Sequence, residues 1–377
     1  MTDTLEMGRR SFLKTAAVMT ALAVMPPLTK KSYAQNINKA NDNPFLKDKR
    51  ILGKEQAAMQ VSALGFGCMG LNYHRSEHPD KKQAIYLLHQ AINHGITLFD
   101  TAETYGPFIN EELVGEGLKG YGDKIQITTK FGFSYNGNKV TGLDSSPKRI
   151  REMVEQSLKR LKRDYIDMLY QHRFDPKTPI EEVAETIKDL IKEGKVKHWG
   201  MCEVSAATIR KAHKALPLTA LQSEYHLMWR EPENDILQTL KELGIGFVPY
   251  SPLNRGFLSG MLNEYTKFDA NNDNRATFPR FTPQAMRHNM QIIEVLNQFG
   301  RTRGLTPAQI ALAWLMNKAD WIVPIPGTTK LAHLEENIRA VDVKIPEKDW
   351  KNLENELSAI EIMGSRYPAD QQAQVGK

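Results

Sequence analysis

The segment GITLFDTAETYG, residues 95–106, contains the local pattern on which the fold prediction rests. Residues 96–100 form a short apolar run that predicts a buried strand, and Asp100 ends that run. Gly95 ends the helical pattern before the run, and Tyr105 lies in the loop after it. A buried strand that ends in reactive side chains is typical of parallel α/β folds, whose ligand sites lie at the carboxyl ends of the strands.

The same alternation of a short apolar run with a helical pattern recurs along the chain. Ser146-Pro147 has the order typical of a helix start, and Asp80 with Gln83 predicts a capping box for the first helix. An amphipathic stripe predicts another helix that begins near residue 180 and stops at Gly194. The eight predicted strands are residues 61–67, 96–100, 125–130, 167–171, 197–202, 219–223, 246–250 and 321–325.

Eight strand–helix units predict a single-domain α/β protein, a (β/α)8 TIM barrel over residues 50–377, because helices return the chain to the same end of a parallel sheet. An open doubly wound sheet is the alternative, since residues 65–70 read GFGCMG, a literal G-x-G-x-x-G after a strand. In that fold the glycines open directly into a helix, whereas here His74, His78 and Pro79 intervene first. The barrel is therefore the favoured prediction.

The composition is that of a soluble globular protein. Of 377 residues, 41% are hydrophobic and 25% are charged, which excludes fibrous and largely disordered classes. The formal net charge is only +6 and the basic residues are scattered along helical patterns, so nucleic-acid binding is not predicted. With two cysteines, Cys68 and Cys202, a disulfide scaffold is excluded, and because they end strands on opposite sides of the barrel we predict no bond between them.

Residues 1–34 have the layout of an export signal that is cleaved after Ala34. The sequence RRSFLK at 9–14 resembles the twin-arginine signature, and an apolar run follows at 15–28. We expect the twin-arginine translocase to export the folded protein to the periplasm or otherwise out of the cytoplasm. An uncleaved anchor is the alternative, but the run is shorter than the roughly 20 residues that span a bilayer. Residues 35–49 are predicted to be a flexible lead-in.

Several motifs beyond residue 50 resemble the aldo-keto reductase superfamily in order and spacing. They are GITLFDTAETYG at 95–106, TTKFG at 128–132, YQHR at 170–173, VPYSPL at 248–253 and IPGTTK at 325–330, followed by LEEN at 334–337. The resemblance implies a barrel that reduces aldehyde, ketone or quinone carbonyls with NADP(H). A non-catalytic NADP(H)-binding sensor or partner module on the same barrel is the alternative.

By this resemblance the catalytic residues are Asp100, Tyr105, Lys130 and His172. Hydride delivery to a carbonyl leaves negative charge on its oxygen, so an acid is needed there, and Tyr105 is the predicted acid. An isolated tyrosine titrates near 10, so Lys130 is expected to stabilise the tyrosinate and Asp100 to keep Lys130 charged and aimed. His172 is expected to orient the carbonyl oxygen.

The resemblance also implies where the cofactor binds. Residues 326–330 open a helix, and their free N–H groups, hydroxyls and lysine suit the phosphates. His333 stands where many relatives have Arg, and Cys202-Glu203 stands where many have Ser-Asn, so the 2′-phosphate and carboxamide contacts depart from the family pattern. The predicted cofactor-binding residues are Met69, Cys202, Glu203, Gln222 (carboxamide), Tyr250 (nicotinamide stacking), Ser251, Leu253, Gly327, Thr328 and Lys330 (2′-phosphate), and Glu336 and Asn337 (adenine).

Aromatic loop residues are predicted to rim the substrate site, namely Tyr73, Phe108, Tyr135 and Trp229. The long loop 254–283 predicts a lid over substrate or cofactor, or else a surface excursion packed on its own aromatics. His74, Glu77 and His78 have metal-like spacing, but H-E-x-x-H is absent and Pro79 argues against a helix, so no metal site is predicted.

Overall fold

The computed structural model describes residues 45–376. Its strands, in chain order, are β1 (Lys49–Leu52), β2 (Met59–Ser62), β3 (Phe66–Gly67), β4 (Leu98–Asp100), β5 (Gln126–Phe131), β6 (Phe133–Asn136), β7 (Lys139–Leu143), β8 (Ile166–Gln171), β9 (Val196–Cys202), β10 (Ala220–Glu224) and β11 (Gly246–Tyr250). Seven of them form one parallel sheet in the order β11-β10-β9-β8-β5-β4-β3. The fold is thus an α/β barrel, and the alternative of an open doubly wound sheet is wrong.

The segment predicted as the eighth strand closes this barrel without forming a regular strand. Its residues bond to β11 on one side, with Val323 N on Phe247 O at 2.8 Å, and to the β3 region on the other, with Gly65 N on Pro324 O at 3.0 Å. Pro324 and Pro326 have no N–H group, so they cannot complete a ladder. The prediction of eight regular strands is therefore wrong in this one segment, although the ring of backbone contacts is complete.

The predicted first strand, residues 61–67, is divided between two sheets. β2 pairs antiparallel with β1, whereas β3 enters the barrel. The Ser62 hydroxyl donates to Leu64 O at 2.7 Å at the bend between them. Leu52, Met59 and Val61 of this hairpin pack with the apolar side chains of the barrel interior, so the hairpin seals one end of the core.

The folded domain begins before the predicted boundary at residue 50. Leu46 is buried, and its N–H donates to His94 O at 2.8 Å. The last residues of the predicted lead-in are therefore part of the domain. The predicted export signal and the rest of the lead-in lie outside the described residues.

Helices cover the outside of the barrel. They are α1 (Lys81–Asn93), α2 (Ile109–Gly117), α3 (Pro147–Leu161), α4 (Ile180–Lys192), α5 (Ala206–Ala215), α6 (Ile236–Leu243), α7 (Pro283–Arg301), α8 (Pro307–Lys318), α9 (Leu331–Arg339), α10 (Glu347–Ser358) and α11 (Ala369–Gln372). The predicted N-caps of α1 and α3 are confirmed, because Asp80 accepts from Gln83 N and Ser146 from Arg149 N, although Asp80 and Gln83 make only this one bond of the predicted capping box. In the described part of the chain, no helix is long and apolar enough to cross a bilayer.

We predict that Arg50 stabilises the barrel closure. Its guanidinium donates to Met316 O, Ala319 O and Ile322 O at 2.6–2.9 Å, which ties β1 to the end of α8 and to the closing segment. Arg50→Met should lower the free energy of unfolding by about 2–4 kcal/mol, because buried carbonyls lose a charged donor. Denaturant unfolding measures this. Lys49→Met, which removes an exposed neighbouring charge, is the control, and equal stability of the two variants would contradict the prediction.

Candidate active site

Three adjacent strands of the sheet bring the predicted catalytic residues to one edge. Asp100 is the last residue of β4, Lys130 lies near the end of β5, and His172 directly follows β8. The parallel register pairs Asp100 with Thr128 and Lys130 with Tyr170, so Lys130 lies two residues past the partner of Asp100, and His172 two residues past the partner of Lys130. Tyr105 comes from the loop after β4, and its ring lies 6.1 Å from the ring of His172. All four predicted residues therefore meet at the mouth of the barrel.

Lys130 is completely buried and uses all three of its N–H donors. Its Nζ lies 2.5 Å from Asp100 Oδ1, 2.7 Å from Thr101 O and 3.2 Å from Tyr105 Oη. The first two contacts fix the ammonium in place. The third directs its charge at the hydroxyl of Tyr105.

The second carboxylate oxygen of Asp100 is held as firmly as the first. Asp100 Oδ2 accepts from Thr128 Oγ1 at 2.8 Å and from Gln222 Nε2 at 2.9 Å. Gln222 was predicted to bind the cofactor carboxamide, and in the structure its amide nitrogen donates to Asp100, so the carboxamide role stays a prediction. Nothing in the spacing of the sequence indicated this bond, since it joins β4 to β10 on another part of the ring.

Burial and charge act in opposite directions on the two central groups. Removal from water raises the pKa of Tyr105 to about 12, although the Lys130 ammonium works to lower it. Burial alone would lower the pKa of Lys130, but the charges of Asp100 and Tyr105 outweigh it, so the pKa is raised. At neutral pH the site therefore holds a protonated phenol beside a charged ammonium.

His172 is neutral in this environment. Burial has the largest effect and lowers its pKa well below the ordinary value. The positive charges of Arg173 and Lys130 lower the pKa further. Its Nδ1 is buried and has no hydrogen-bond partner among residues 45–376. Phe133, at the start of β6, packs edge-on against the ring with centroids 5.3 Å apart. The hairpin β6–β7 was absent from the sequence prediction, so this contact was missed.

Both cysteines are buried thiols. Burial raises the pKa of Cys202 to about 12 and that of Cys68 well above its ordinary value. Neither forms a disulfide, as predicted. Cys202 ends β9 and adds to the interior packing of the barrel.

The predicted cofactor residue Glu203 is engaged by the protein itself. Its Oε1 accepts from Glu224 N at 2.7 Å, and its Oε2 lies 2.5 Å from Nη2 of Arg366. Its backbone has φ of 55°, in the left-handed region that non-glycine residues rarely adopt. Arg366 was not among the predicted site residues, because no motif links it to the barrel.

The loop after β11 carries more of the strained backbone. Ser251, Asn254 and Arg255 have φ of 49°, 46° and 52°. Such strain is found most often where a backbone is shaped around a ligand. Tyr250 precedes this loop, half-buried, and its Oη lies 2.5 Å from Oη of Tyr367. The predicted cofactor residues Ser251 and Leu253 are half-buried in the same loop, and Met69 is half-buried directly after β3.

The predicted phosphate site is formed by residues 326–330 and the start of α9. A Cβ on Gly327 would lie 2.5 Å from Gly67 O, so only glycine fits this close approach. Thr328 Oγ1 accepts from Lys330 N at 3.1 Å, and among the described residues no side chain caps α9. The uncapped N–H groups and the exposed Lys330 suit a phosphate group. The donor set therefore fits a dinucleotide.

The residues predicted at the adenine differ in exposure. Asn337 is only 3% exposed, whereas Glu336 is half-buried. His333 is half-buried on the same helix, close in sequence to Lys330.

The predicted substrate residues have different neighbours. The Tyr73 ring lies 6.1 Å from that of Tyr105, beside the catalytic group. Phe108 and Tyr135 pair with each other at 5.0 Å, near the β6–β7 hairpin. Trp229 lies under the guanidinium of Arg366. Tyr73 is thus the member of this set that contacts the region of the catalytic residues.

The long loop is fastened to the loop after β3. Asp273 Oδ2 accepts from Ser76 N at 2.9 Å and from Ser76 Oγ at 2.7 Å, and Asn272 Nδ2 donates to Arg75 O at 2.6 Å. Tyr73 lies in the joined loop, so these bonds connect the long loop to the side of the site where Tyr73 and Tyr105 lie close together, and its role as a lid stays a prediction. Tyr265 is 75% exposed and takes no part.

No metal centre is found in the described part of the chain. His78 Nε2 lies 2.9 Å from Asn272 Nδ2, among the same contacts between the two loops. Across residues 45–376, no group of three or more His, Cys, Asp and Glu side chains could hold a metal ion.

Comparison with known proteins identifies the class. The model of the aldo/keto reductase family matches residues 63–357. A protein described as probable aldo-keto reductase 1 from Glycine max is 42% identical over 309 residues, which are 82% of this chain and 89% of the relative.

Solved structures agree with that match. The glycerol dehydrogenase AKR11B4 from Gluconobacter oxydans superposes with a TM-score of 0.75 at 26% identity, over 83% of this chain and 96% of its own. The holo form of the aldo-keto reductase AKR11C1 from Bacillus halodurans gives 0.67 at 25% identity, over 84% and 98%. The chain therefore belongs to the aldo/keto reductase family, and it is an NAD(P)H-dependent oxidoreductase.

We predict that Tyr105 ionises far above ordinary tyrosines in the ligand-free protein. Burial favours the neutral phenol, so its tyrosinate forms near pH 12 and not near 10. The ultraviolet absorbance of tyrosinate is titrated in the wild type and in Tyr105→Phe, and the difference isolates this residue. A difference signal that develops near pH 10 would contradict the prediction.

Proposed function

We propose that the protein is an NADP(H)-dependent reductase of aldehyde, ketone or quinone carbonyls, with Tyr105 as the general acid. The observation that carries the proposal is the 3.2 Å contact between the Lys130 ammonium and the Tyr105 hydroxyl. An ammonium aimed at a phenol stabilises the phenolate that remains after proton transfer. An ion pair between Lys130 and Asp100 that served only stability would not require the contact with the Tyr105 hydroxyl.

The dihydronicotinamide, when bound, supplies the hydride that reduces the carbonyl carbon. Tyr105 holds its proton at Oη and donates it to the carbonyl oxygen as negative charge develops there. The Lys130 ammonium stabilises the resulting tyrosinate, and Asp100 keeps that ammonium charged and oriented. A neutral His172 has one N–H to donate, which suits it to orient the same oxygen without adding a charge.

The pKa of Tyr105 favours the reductive direction. A group whose pKa is about 12 keeps its proton at neutral pH, so the acid form needed for reduction is already present. Oxidation of an alcohol needs the tyrosinate as base, which is scarce under the same conditions. The ligand-free site is therefore in the protonation state that carbonyl reduction requires.

The residues after the closing segment support NADP(H) over NAD(H). Lys330 is an exposed cation at the uncapped start of α9, and Thr328 offers a hydroxyl beside it. Both suit the additional phosphate of NADP(H). His333 is a weaker partner than the Arg of many relatives, because it lacks the planar guanidinium fork.

We also propose that the protein is exported by the twin-arginine route. The support is the RRSFLK sequence at 9–14 with the apolar run and small-x-small triplet that follow. Because this route carries folded proteins, a bound dinucleotide can accompany the chain. Turnover outside the cytoplasm then requires a reductant that regenerates the cofactor there.

Tyr105→Phe should lower carbonyl turnover by at least about 100-fold, because it removes the acid and leaves the ring. Nicotinamide fluorescence measures cofactor binding, and its decay with a panel of aldehydes measures turnover. Cofactor binding should persist in the variant. Tyr86→Phe, which alters an exposed tyrosine on α1, is the control.

Two results would contradict the mechanism or the activity. Wild-type turnover by Tyr105→Phe with cofactor bound would exclude Tyr105 as the acid. A wild-type protein that binds NADPH but never oxidises it with any carbonyl would favour the alternative, a sensor on the same barrel.

Lys330→Met should weaken binding of NADPH by about tenfold and leave NADH unchanged, since under the proposed function Lys330 would hold the additional phosphate that NADH lacks. His333→Arg should tighten NADPH binding by a similar factor. Fluorescence titration gives both dissociation constants, with Lys348→Met as an exposed control on α10. An equal loss for both cofactors in Lys330→Met would refute the preference.

A further inference from the structure

The segment that follows α10, residues 359–376, returns across the carboxyl ends of the strands. Asn289 of α7 holds it by two hydrogen bonds to the backbone of Met363. Its Nδ2 donates to Met363 O and its Oδ1 accepts from Met363 N, each at 3.0 Å. Farther along, Gly376 N donates to Glu203 O at 2.8 Å. The segment is therefore fastened to the barrel at both ends, and Arg366 and Tyr367 lie buried between these anchors.

Arg366 joins two strand ends by charge. Its guanidinium lies 2.5 Å from Oε2 of Glu203, just after β9, and 3.3 Å from Oε2 of Glu224, at the end of β10. Glu224 has a second cation, since Arg255 binds both of its oxygens at 2.8 and 3.0 Å. Among the described residues, Arg366 is the one cation paired with Glu203. Its loss leaves a buried carboxylate unpaired beside a strained backbone.

Tyr367 makes the equivalent connection to β11. Its hydroxyl lies 2.5 Å from that of Tyr250, and the ring is held by Phe278, edge-on at 5.5 Å, and by the guanidinium of Arg366 at 4.7 Å. A hydroxyl contact at the far end of Tyr250 fixes the position of that end, so it limits the swing of the side chain about its Cα–Cβ bond. Tyr250 is the residue that, under the proposed function, stacks on the nicotinamide.

The contacts of these two residues are separate from those of the catalytic group. The catalytic contacts join β4, β5 and β10 through Asp100, Lys130 and Gln222. The contacts of Arg366 and Tyr367 reach Glu203, just after β9, Glu224, at the end of β10, and Tyr250, at the end of β11, so the two sets share β10 but no residue. Changes in the segment should therefore alter the cofactor side and leave the environment of Tyr105 intact.

We propose that Arg366 and Tyr367 are positioning residues for the nicotinamide ring, acting through Glu203 and Tyr250. The inference rests on the proposed function, because it takes a dihydronicotinamide as the ligand of that side. The C-terminal segment is then a working part of the site, which sets the position of the ring on which the nicotinamide rests. A segment that only covers the barrel would contribute to stability alone.

The test uses the full chain with Tyr367→Phe, Arg366→Met and Arg366→Lys. Fluorescence titration with NADPH gives the dissociation constant. The emission of bound NADPH reports the environment of its nicotinamide ring, and thermal unfolding reports the stability of the protein. Tyr367→Phe should weaken NADPH binding by about tenfold, as for the loss of one buried hydrogen bond, with a changed emission of bound NADPH and a small shift in Tm. Arg366→Lys should restore part of the binding that Arg366→Met loses.

Controls for the same chemical changes lie away from this side of the mouth. Tyr165→Phe removes a hydroxyl that donates to Asp123 before β8, and Arg303→Met breaks an ion pair with Asp349 between α7 and α10. Neither should change the NADPH dissociation constant or emission.

Unchanged binding and emission in Tyr367→Phe and Arg366→Met, with only a lower Tm, would overturn the inference and leave the proposed function standing. A wild-type protein that binds no NADPH would overturn the proposed function, and the inference with it. The difference titration of Tyr105 is a further check, since both variants should retain its high pKa.

Discussion

The ion pair between Asp100 and Lys130 inside the barrel is the contact on which the rest of the site depends. A completely buried lysine stays charged only if its surroundings replace water, and Asp100 with Thr101 O does so at 2.5 and 2.7 Å. Strand register makes this pairing, since Asp100 pairs with Thr128 and Lys130 lies two residues farther along β5, with its side chain on the same face as that of Thr128. The ammonium then has one N–H left, which meets Tyr105. The ion pair inside the barrel and the charge directed at Tyr105 therefore both depend on Lys130.

Strand ends could be predicted from the sequence because buried strands are short apolar runs with reactive residues at their ends. Asp100, Lys130 and His172 follow this local rule, and the structure brings them together with Tyr105. The closing segment and the divided first strand show its limit. Pro324 and Pro326 interrupt the ladder without interrupting the apolar pattern, so periodicity alone could not show that a regular strand is missing.

Contacts between distant residues could not be predicted from local patterns. Gln222 was assigned to a cofactor, yet it donates to Asp100, 122 positions away along the chain. Glu203 was assigned in the same way, and its partner Arg366 lies in a segment without a recognisable motif. The Gln222 contact crosses the barrel interior, because β4 and β10 are not neighbours in the sheet, and Arg366 reaches Glu203 from the segment after α10. They decide how firmly each reactive group is held, whereas the motifs decide only which groups are present.

The coupling between Lys130 and Tyr105 is tested most directly by a double-mutant cycle in turnover, using Lys130→Met, Tyr105→Phe and the double variant. If Lys130 acts by stabilising the tyrosinate, its removal costs turnover only while the phenol is present. The account predicts that each single variant loses at least about 100-fold and that the double variant is scarcely slower than Tyr105→Phe alone. Losses that multiply in the double variant would contradict it.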